Sequence, residues 1–419
     1  MARADVRLNG ITYRWPTHPV VVVCIDGGDH AYFERGQRDG IIPTVDRFIR
    51  TGFSATAEGT VPSFTCPNNM SIATGAPASV HGISGNFYLD PETGEAVVMT
   101  GPELLRSGTI LGGFSRSGAR VVSITAKDKL RQQLGKDFDL SHGSSNFSSQ
   151  CADECRPDEH GIENVLGLVG MPLPDMYSME LSLFVLEAGA RLLEKQRPDL
   201  MYLSLSDYVQ HKYAPGEPEA NRFYQALDDM FARLDASGAV VALTADHGMN
   251  DKSKPDGSPN VIWLQDHLDA SLGRGTTTVI CPITDRFVGH HGALGGFVRV
   301  YCRNGTTRGD VMRVIATLPG IEAVLEKEDA ARRFELPLDR EGDVVVISDR
   351  GTCIGGAEAE HDLSGLAGHR LRTHGGVSES HVPFIFNRPL TPAYAERARA
   401  GGLKSHSIFD FALNGLESA

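Results

Sequence analysis

Four residues in two short motifs have the types and spacing of metal ligands. Asp207 and His211 are four positions apart, which places a carboxylate and an imidazole on one side of a helical turn. Asp246 and His247 are neighbours, and on a regular strand their side chains would point to opposite faces. They can converge on one site only if the strand ends there, and Gly248 permits such a turn.

Two further residues bring this set to three carboxylates and three histidines. Asp26 directly follows an apolar run, and His374 stands in a glycine-rich turn where backbone can approach a site closely. The nitrogen and oxygen donors suit Zn²⁺ best, and Mn²⁺ or Fe²⁺ less well. One zinc ion takes about four ligands, so six ligands plus one more oxygen fit two metal ions better. Helix capping and turn formation explain either motif alone, but not all six residues together.

The segment from position 61 to 70, VPSFTCPNNM, offers three nucleophiles in four positions: Ser63, Thr65 and Cys66. Pro67 marks a first helical turn, so Thr65 and Cys66 are expected at a helix N-terminus. The helix dipole and the unpaired N–H groups there favour an anion, such as an alkoxide or a phosphoryl oxygen. A threonine hydroxyl is a poor nucleophile until a metal ion lowers its pKa.

The elements that must position these residues follow an alternating pattern. Near-continuous apolar runs predict strands buried on both faces, at residues 20–25, 119–125, 201–205, 239–244 and 382–386. Helices are predicted between them, at residues 44–51, 67–74, 177–196 and 218–237. The alternation predicts an α/β fold with a doubly wound, mostly parallel sheet. Such sheets bind ligands at the carboxyl ends of their strands, where Asp26, Lys127, Asp207 and Asp246 stand.

The organisation changes after about residue 275. Two short apolar strands at 298–302 and 344–348 and a helix near 307–318 predict a small α/β cap, inserted at 276–365 into a core of 1–275 and 366–419. His290 and His291 in this cap either face the mouth of the site or fold the cap, and the sequence leaves that choice open.

Composition narrows the class of protein. The 419-residue chain has a formal charge of −13, which argues against a nucleic-acid partner. It has neither a signal-peptide core at the N-terminus nor an apolar run of membrane-spanning length. Its seven cysteines are scattered and odd in number, so we expect reduced thiols and a cytoplasmic protein. The oligomeric state is left open, and a homodimer is one assembly that the sequence permits.

The motifs occur together in an order that resembles a known family. They are Asp26-Gly-Gly, Thr65-Cys-Pro-Asn, His81-Gly-Ile with Asn86, Asp207-x-x-x-His211, Asp246-His247-Gly and His374-Gly-Gly. This order resembles the nucleotide pyrophosphatase/phosphodiesterase branch of the alkaline phosphatase superfamily, whose core fold we therefore expect.

The resemblance implies a role for each motif. It implies two zinc ions per chain, one held by Asp207, His211 and His374 and the other by Asp26, Asp246, His247 and Thr65. It also implies that Thr65 is the nucleophile and that Asn86 binds a non-bridging phosphoryl oxygen. The branch often has phenylalanine where this chain has Cys66, so Cys66 is interpreted as a packing substitute and Ser63 as a loop residue.

Lys127 and Lys129 bear on the substrate, because they follow a strand that ends at the same crevice. They either form a solvated loop or grip a carboxylate beside the phosphoryl site. The stretch resembles superfamily members that cleave the carbon–phosphorus bond of the small molecule phosphonoacetate, giving acetate and phosphate. Fixed cations would stabilise the enolate-like leaving group. The alternatives are a nucleotide phosphodiesterase, a phosphosugar mutase and a protein with purely structural zinc.

Overall fold

A seven-stranded sheet forms the centre of this computed structural model, which describes residues 4–90, 92–283, 292–366 and 368–417. The strands of the described residues are β1 (Val6–Leu8), β2 (Ile11–Tyr13), β3 (Val20–Cys24), β4 (Phe53–Glu58), β5 (Phe87–Leu89), β6 (Ala96–Val98), β7 (Val121–Thr125), β8 (Ser145–Ser148), β9 (Leu200–Ser204), β10 (Val240–Thr244), β11 (Asn250–Asp251), β12 (Val261–Trp263), β13 (Thr277–Ile280), β14 (Phe297–Cys302), β15 (Ile321–Glu326), β16 (Val344–Ser348), β17 (Cys353–Gly355), β18 (Arg372–Thr373) and β19 (His381–Phe386). The α-helices of the same residues are α1 (His30–Asp39), α2 (Pro43–Thr51), α3 (Thr65–Thr74), α4 (Ala78–His81), α5 (Ile110–Arg116), α6 (Asp128–Leu134), α7 (Pro157–His160), α8 (Val165–Val169), α9 (Glu180–Gln196), α10 (Tyr208–Lys212), α11 (Pro218–Ala236), α12 (Leu264–Leu272), α13 (Arg308–Ile315), α14 (Lys327–Phe334), α15 (Pro392–Arg399) and α16 (Ile408–Asn414).

The central sheet has the order β4-β19-β10-β3-β9-β7-β8. Its neighbours from β10 to β8 pair in parallel, whereas β19 is antiparallel to both β10 and β4. This confirms the predicted doubly wound, mostly parallel fold, and all five predicted core strands belong to it. β4 and β8 were not predicted from the sequence. Both are edge strands, and their residues FSATAE and SNFS lack the apolar runs of the inner strands.

Helices cover both faces of this sheet because its inner strands are apolar on both sides. In β3, Val21 and Val23 pack into one core cluster with α9 and α11, while Val20 and Val22 pack into the other with α5 and α16. Successive strand residues point to opposite faces, so an unbroken valine run needs cover on both. Fully burying each valine contributes roughly 1.5 kcal/mol or more.

A second, antiparallel sheet with the order β13-β14-β16-β15 lies in the segment predicted as a cap. One face of it packs on α12 and α13. The other face, through Phe297 and Ile347, packs on Val61 and Phe64 of the core. The boundaries at 276 and 365 stay a prediction, and the small sheet draws part of its helical cover from α12, which precedes residue 276. His290 and His291 lie outside the described residues.

Each predicted helix of the core is present within three residues of its expected bounds, as α2, α3, α9 and α11. In the described part of the chain, no helix combines the length and the apolar character needed to cross a membrane.

Candidate metal centre and active site

Four adjacent parallel strands, β10, β3, β9 and β7, deliver the predicted site residues to one edge of the sheet. Asp246 follows β10, Asp26 follows β3, Asp207 follows β9 and Lys127 follows β7. Because parallel strands share a direction, their carboxyl ends meet at the same crevice. The register supports this, since Cys24 is paired with both Thr244 and Ser204.

Two compact clusters of metal-binding side chains lie at this edge. One consists of Asp207, His211 and His374, and the other of Asp26, Asp246 and His247. Within each cluster the ligand atoms lie within 4.8 Å of one another. All six residues are buried, with exposed fractions from 0% to 4%. The rings of His247 and His374 stack at a centroid distance of 3.5 Å, so the two clusters adjoin.

Backbone carbonyls orient all three histidines. Nδ1 of His211 donates a hydrogen bond to the carbonyl of Arg372 (2.7 Å). Nδ1 of His374 donates to Ser63 (2.7 Å), and Nδ1 of His247 donates to Gly248 (2.9 Å). A carbonyl only accepts, so Nδ1 carries the proton and Nε2 is left to bind a metal ion, as in many metal sites.

The carboxylates also fit metal binding. Oδ1 of Asp26 is buried and accepts no hydrogen bond from any described residue, although Nε2 of His247 is 3.2 Å away. Burial, followed by the charges of Asp207 and Asp246, raises the pKa of Asp26 well above its usual value. Burial raises the pKa of Asp246 to about 7. Three buried acids this close are stable as carboxylates only if cations share the site.

Thr65 is the first residue of α3, as predicted for a helix N-terminus. Its Oγ1 lies 3.4 Å from Nε2 of His247, which places the hydroxyl beside the Asp26 cluster. Asn69, one turn later, donates through Nδ2 to the Thr65 carbonyl (3.0 Å) and to Oδ2 of Asp246 (3.1 Å). The Asn69 amide is held in turn by the hydroxyls of Tyr202 and Ser204, which donate to its oxygen.

The other two nucleophile candidates have different surroundings. Ser63 is fully buried, and its hydroxyl donates to the carbonyl of Gly376 (2.7 Å). Cys66 is partly buried against the core cluster that contains Val20 and Val22, and burial raises the pKa of its thiol to about 12. The charges of Lys127 and Lys129 act against this increase, so both ammonium groups lie within electrostatic range of Cys66.

Lys127 lies beside the Asp207 cluster. Its ammonium is 3.5 Å from Oδ1 of Asp207, and 39% of the side chain remains exposed. Burial lowers the pKa of Lys127, but the carboxylates of Asp207 and Asp26 outweigh it, so the pKa is raised and the side chain is a cation. Lys129 is more exposed, on the first turn of α6.

Asn86 precedes β5, at the junction between the core and the small sheet. Its Nδ2 donates to the carbonyl of Ile283 (2.8 Å), while its buried Oδ1 accepts no hydrogen bond from the described residues. Its predicted contact with a phosphoryl oxygen stays a prediction.

The turn after His374 requires a glycine. Gly375 has φ = 122°, a conformation that L-residues rarely adopt, and an added Cβ would lie 2.4 Å from the Phe64 ring. Phe64 immediately precedes Thr65, and its ring contacts His374 edge-on at 5.9 Å. The glycine therefore lets the ligand turn approach the nucleophile segment closely.

The residues that orient the metal-binding side chains were not predicted from the sequence. Asn69 carries no motif of its own, although its position four residues after Thr65 predicts the same helix face. The carbonyls of Ser63, Gly248 and Arg372 have no side-chain signature at all. These contacts depend on which backbone segments the fold brings together.

Comparison with known proteins agrees with this geometry. Residues 20–376 match the family model described as type I phosphodiesterase / nucleotide pyrophosphatase. An uncharacterised pyrophosphatase/phosphodiesterase of Schizosaccharomyces pombe is 24% identical over 263 residues, which are 60% of this chain and 48% of that protein. The chain thus spans about half the length of this curated relative.

Solved structures extend the comparison to the whole chain. Phosphonoacetate hydrolase from Sinorhizobium meliloti 1021, in complex with phosphonoformate, is 47% identical, with a TM-score of 0.93 and coverage of 99% of both chains. Its complex with phosphonoacetate gives 46% identity with the same score and coverage. Murine ectonucleotide pyrophosphatase / phosphodiesterase 5 in complex with AMP shares the fold, with a TM-score of 0.59, 17% identity and coverage of 88% and 87%. The chain belongs to the type I phosphodiesterase / nucleotide pyrophosphatase family.

Proposed function

We propose that this protein hydrolyses the carbon–phosphorus bond of phosphonoacetate to acetate and phosphate, with Thr65 as the nucleophile. The observation that carries the proposal is the Lys127 ammonium, 3.5 Å from Asp207 at the sheet edge where Thr65 also stands. The 47% identity to the phosphonoacetate hydrolase of S. meliloti over nearly the whole chain supports it.

We assign a zinc ion to each cluster, with Thr65 Oγ1 as the additional ligand of the Asp26, Asp246 and His247 group. Bound divalent ions would supply Lewis acidity, lowering the pKa of a ligated hydroxyl and neutralising phosphoryl oxygens. The donor set of carboxylates and Nε2 atoms suits zinc.

In the first displacement, the Thr65 hydroxyl loses its proton to solvent and its oxygen attacks phosphorus. The N-terminus of α3 favours negative charge at that position. The carbon–phosphorus bond breaks, and its electron pair moves onto the carbon and the adjacent carboxylate as an enolate-like dianion. A proton from solvent then adds at carbon and acetate leaves, so the phosphoryl group remains on Thr65 as a phosphothreonine.

Lys127 and Lys129 act on the leaving group. The carboxylate gains charge as the carbon–phosphorus bond breaks, so a cation fixed beside it stabilises the transition state more than the ground state. Lys127 is held near the Asp207 cluster by its ion pair, and Lys129 adds a second positive charge from α6. Asn86 is assigned to a non-bridging phosphoryl oxygen.

The second displacement regenerates the enzyme. Water attacks the phosphorus of the phosphothreonine, and the bond to the Thr65 oxygen breaks. The proton lost by water returns to the Thr65 hydroxyl, and phosphate leaves. The overall reaction consumes one water and needs no oxidant or reductant.

A phosphodiesterase acting on nucleotides is the second candidate, because the family description names that activity. Two readouts test both: phosphate release from phosphonoacetate, 2-aminoethylphosphonate, phosphonopyruvate and a nitrophenyl monoester, and nitrophenolate release from a nitrophenyl phosphodiester. We expect phosphonoacetate to have the highest kcat/KM. A diester preferred over phosphonoacetate would favour the second candidate.

We expect the purified protein to contain about two zinc ions per chain, and chelation to abolish activity. Elemental analysis of the protein before and after chelation, together with the activity restored by added zinc, measures this. Changing His211 should empty mainly the Asp207 cluster, and changing His247 mainly the Asp246 cluster. Full activity with one ion or fewer per chain would contradict the assignment.

Metal retention should depend on pH, and the two clusters should differ. In the metal-free protein the pKa of Asp246 is about 7 and that of Asp26 is also raised, both chiefly by burial. A proton must leave before the metal binds, so affinity at this cluster falls about tenfold per displaced proton for each pH unit below about 7. The pKa of His374 is instead held well below its usual value, by burial and by His247 and His211.

The Asp246 cluster should therefore empty first as the pH falls. His211→Ala and His247→Ala each leave one intact cluster, and metal retained after dialysis at about pH 7.5 and about pH 5.5 compares them. Equal losses from both variants would contradict the expectation.

We also propose that the protein resides in the cytoplasm, and a homodimer is one assembly that the sequence permits. All seven cysteines are free, as expected in a reducing compartment. Fractionation of cells tests the location, and sedimentation equilibrium of the purified chain measures the oligomeric state.

A further inference from the structure

A buried ion pair that the proposed mechanism does not use lies next to the turns that carry the histidine ligands. Nζ of Lys252 is 2.9 Å from Oε1 of Glu379, and neither side chain is exposed. Withdrawing two charges from water carries a desolvation cost that a pair of this kind often barely recovers. The contacts of the pair therefore indicate its role better than any stability that it adds.

Glu379 connects the turns that carry the histidine ligands. Its Oε2 accepts a hydrogen bond from the backbone N–H of Gly376 (2.8 Å), two residues after His374. Its own carbonyl accepts from the N–H of Gly248 (2.7 Å), directly after His247. One residue thus contacts both turns, and these turns belong to different clusters.

Short strands on the same two segments extend this connection. β11, which follows His247, pairs with β18, which precedes His374, and Asn250 in β11 donates through Nδ2 to Oε1 of Glu379. The carbonyl of Arg372 in β18 orients His211. The ion pair and the pairing of β11 with β18 connect the segments that carry the two turns, and the rings of His247 and His374 stack at 3.5 Å.

Lys252 connects Glu379 to the second sheet. Its Nζ donates to the carbonyl of Asp349 (3.2 Å), which directly follows β16. Burial alone would raise the pKa of Glu379, but Lys252 and the hydrogen bonds of Asn250 and Ser378 hold it below its usual value. Glu379 is therefore a carboxylate, and its acceptor oxygens are available to the turns.

We propose that Lys252 and Glu379 form a positioning pair that holds the ligand turns of both clusters at the spacing required for tight binding of two metal ions. The proposal rests on the proposed function, because it assumes that the clusters hold metal. Residues that orient metal ligands typically affect metal affinity by 10–100-fold.

A second buried ion pair provides a matched control. Arg299 and Glu341 are also fully buried, at 2.7 Å, and Arg299 donates to the carbonyls of Ser84 and Phe87. This pair contacts the segment around Asn86 and not the turns of the histidine ligands. Neutralising Glu341 leaves an equally buried, unpaired cation, so it reproduces the loss of stability without the proposed effect on metal.

The experiment compares Glu379→Gln with Glu341→Gln. Zinc affinity is measured by competition with a chromogenic chelator, well below the unfolding temperature, and thermal unfolding is followed separately. We expect both variants to unfold at lower temperature than the wild type. Glu379→Gln should bind zinc about tenfold or more weakly, whereas Glu341→Gln should keep wild-type affinity.

If Glu379→Gln does not fold, Lys252→Met with Glu379→Gln removes both charges and avoids an uncompensated one. This double variant should fold and still bind zinc weakly, because one acceptor oxygen for the turns is lost. Unchanged zinc affinity in the Glu379 variants, or equal weakening by Glu341→Gln, would overturn the proposal. A wild-type protein that binds no zinc would instead refute the proposed function.

Discussion

Thr65→Ala is expected to reduce turnover of phosphonoacetate by about 10⁴-fold or more, since the attacking oxygen is removed. The fold should survive, because alanine is a strong helix former and Thr65 is the first residue of α3. Metal content should change little, because the six ligands of the two clusters remain. Steady-state kinetics, elemental analysis and mass spectrometry of protein quenched during turnover measure these three outcomes.

The controls for this prediction are the neighbouring residue and the conservative variant. Cys66→Ala should be mild, because burial raises the pKa of that thiol to about 12 and the side chain packs against a core cluster. Thr65→Ser keeps a hydroxyl and should retain measurable activity and a phosphorylated intermediate. An inactive Cys66→Ala variant together with an active Thr65→Ala variant would show that the nucleophile is misassigned.

Lys127→Ala is expected to separate two substrates that the metal centre alone would treat alike. Loss of a fixed charge acting in the transition state costs about 3 kcal/mol, a hundredfold or more in kcat/KM for phosphonoacetate. A nitrophenolate leaving group is already stable and has no carboxylate for a lysine to bind. Cleavage of a nitrophenyl ester should therefore be much less affected, and Lys129→Ala should act in the same direction.

Kinetics are measured with both substrates for each variant. General damage to the metal centre would lower both activities, so the ratio of the two activities isolates the effect on the leaving group. Lys195→Ala, at the exposed end of α9, changes the net charge equally and should affect neither substrate. Equal losses on both substrates in Lys127→Ala would mean that the lysine serves folding or general phosphoryl binding. The phosphodiesterase candidate would then be the better proposal.

The inner strands of the sheet were predictable from sequence because burial on both faces leaves an unbroken apolar run. β3 reads VVVVC, and its alternate residues enter two different cores. The edge strands β4 and β8 lack this signal for different reasons. β4 is only partly buried, whereas β8 is buried but consists mostly of polar residues. Their place in the sheet depends on tertiary contacts with β19 and β7.

The types of the candidate ligands and their placement at strand ends were likewise determined by the sequence. An acid that follows a buried strand of a parallel sheet within a few residues lies at the carboxyl edge of that sheet, which applies to Asp26, Asp207 and Asp246. Thr65 was predictable at a helix N-terminus because Pro67 is compatible only with the first turn.

Only the tertiary structure decided how these ligands are oriented and grouped. His374 joins Asp207 and His211 through a turn that bonds to Ser63, 311 residues away in the chain. Each imidazole is oriented by a backbone carbonyl, and every residue has one, so no sequence pattern distinguishes the carbonyls that matter. The same holds for the contacts of Glu379 with Lys252 and of Asn69 with Asp246, which join residues far apart in the chain. The chemistry of the donors is local to each residue, whereas their geometry depends on which segments the fold brings into contact.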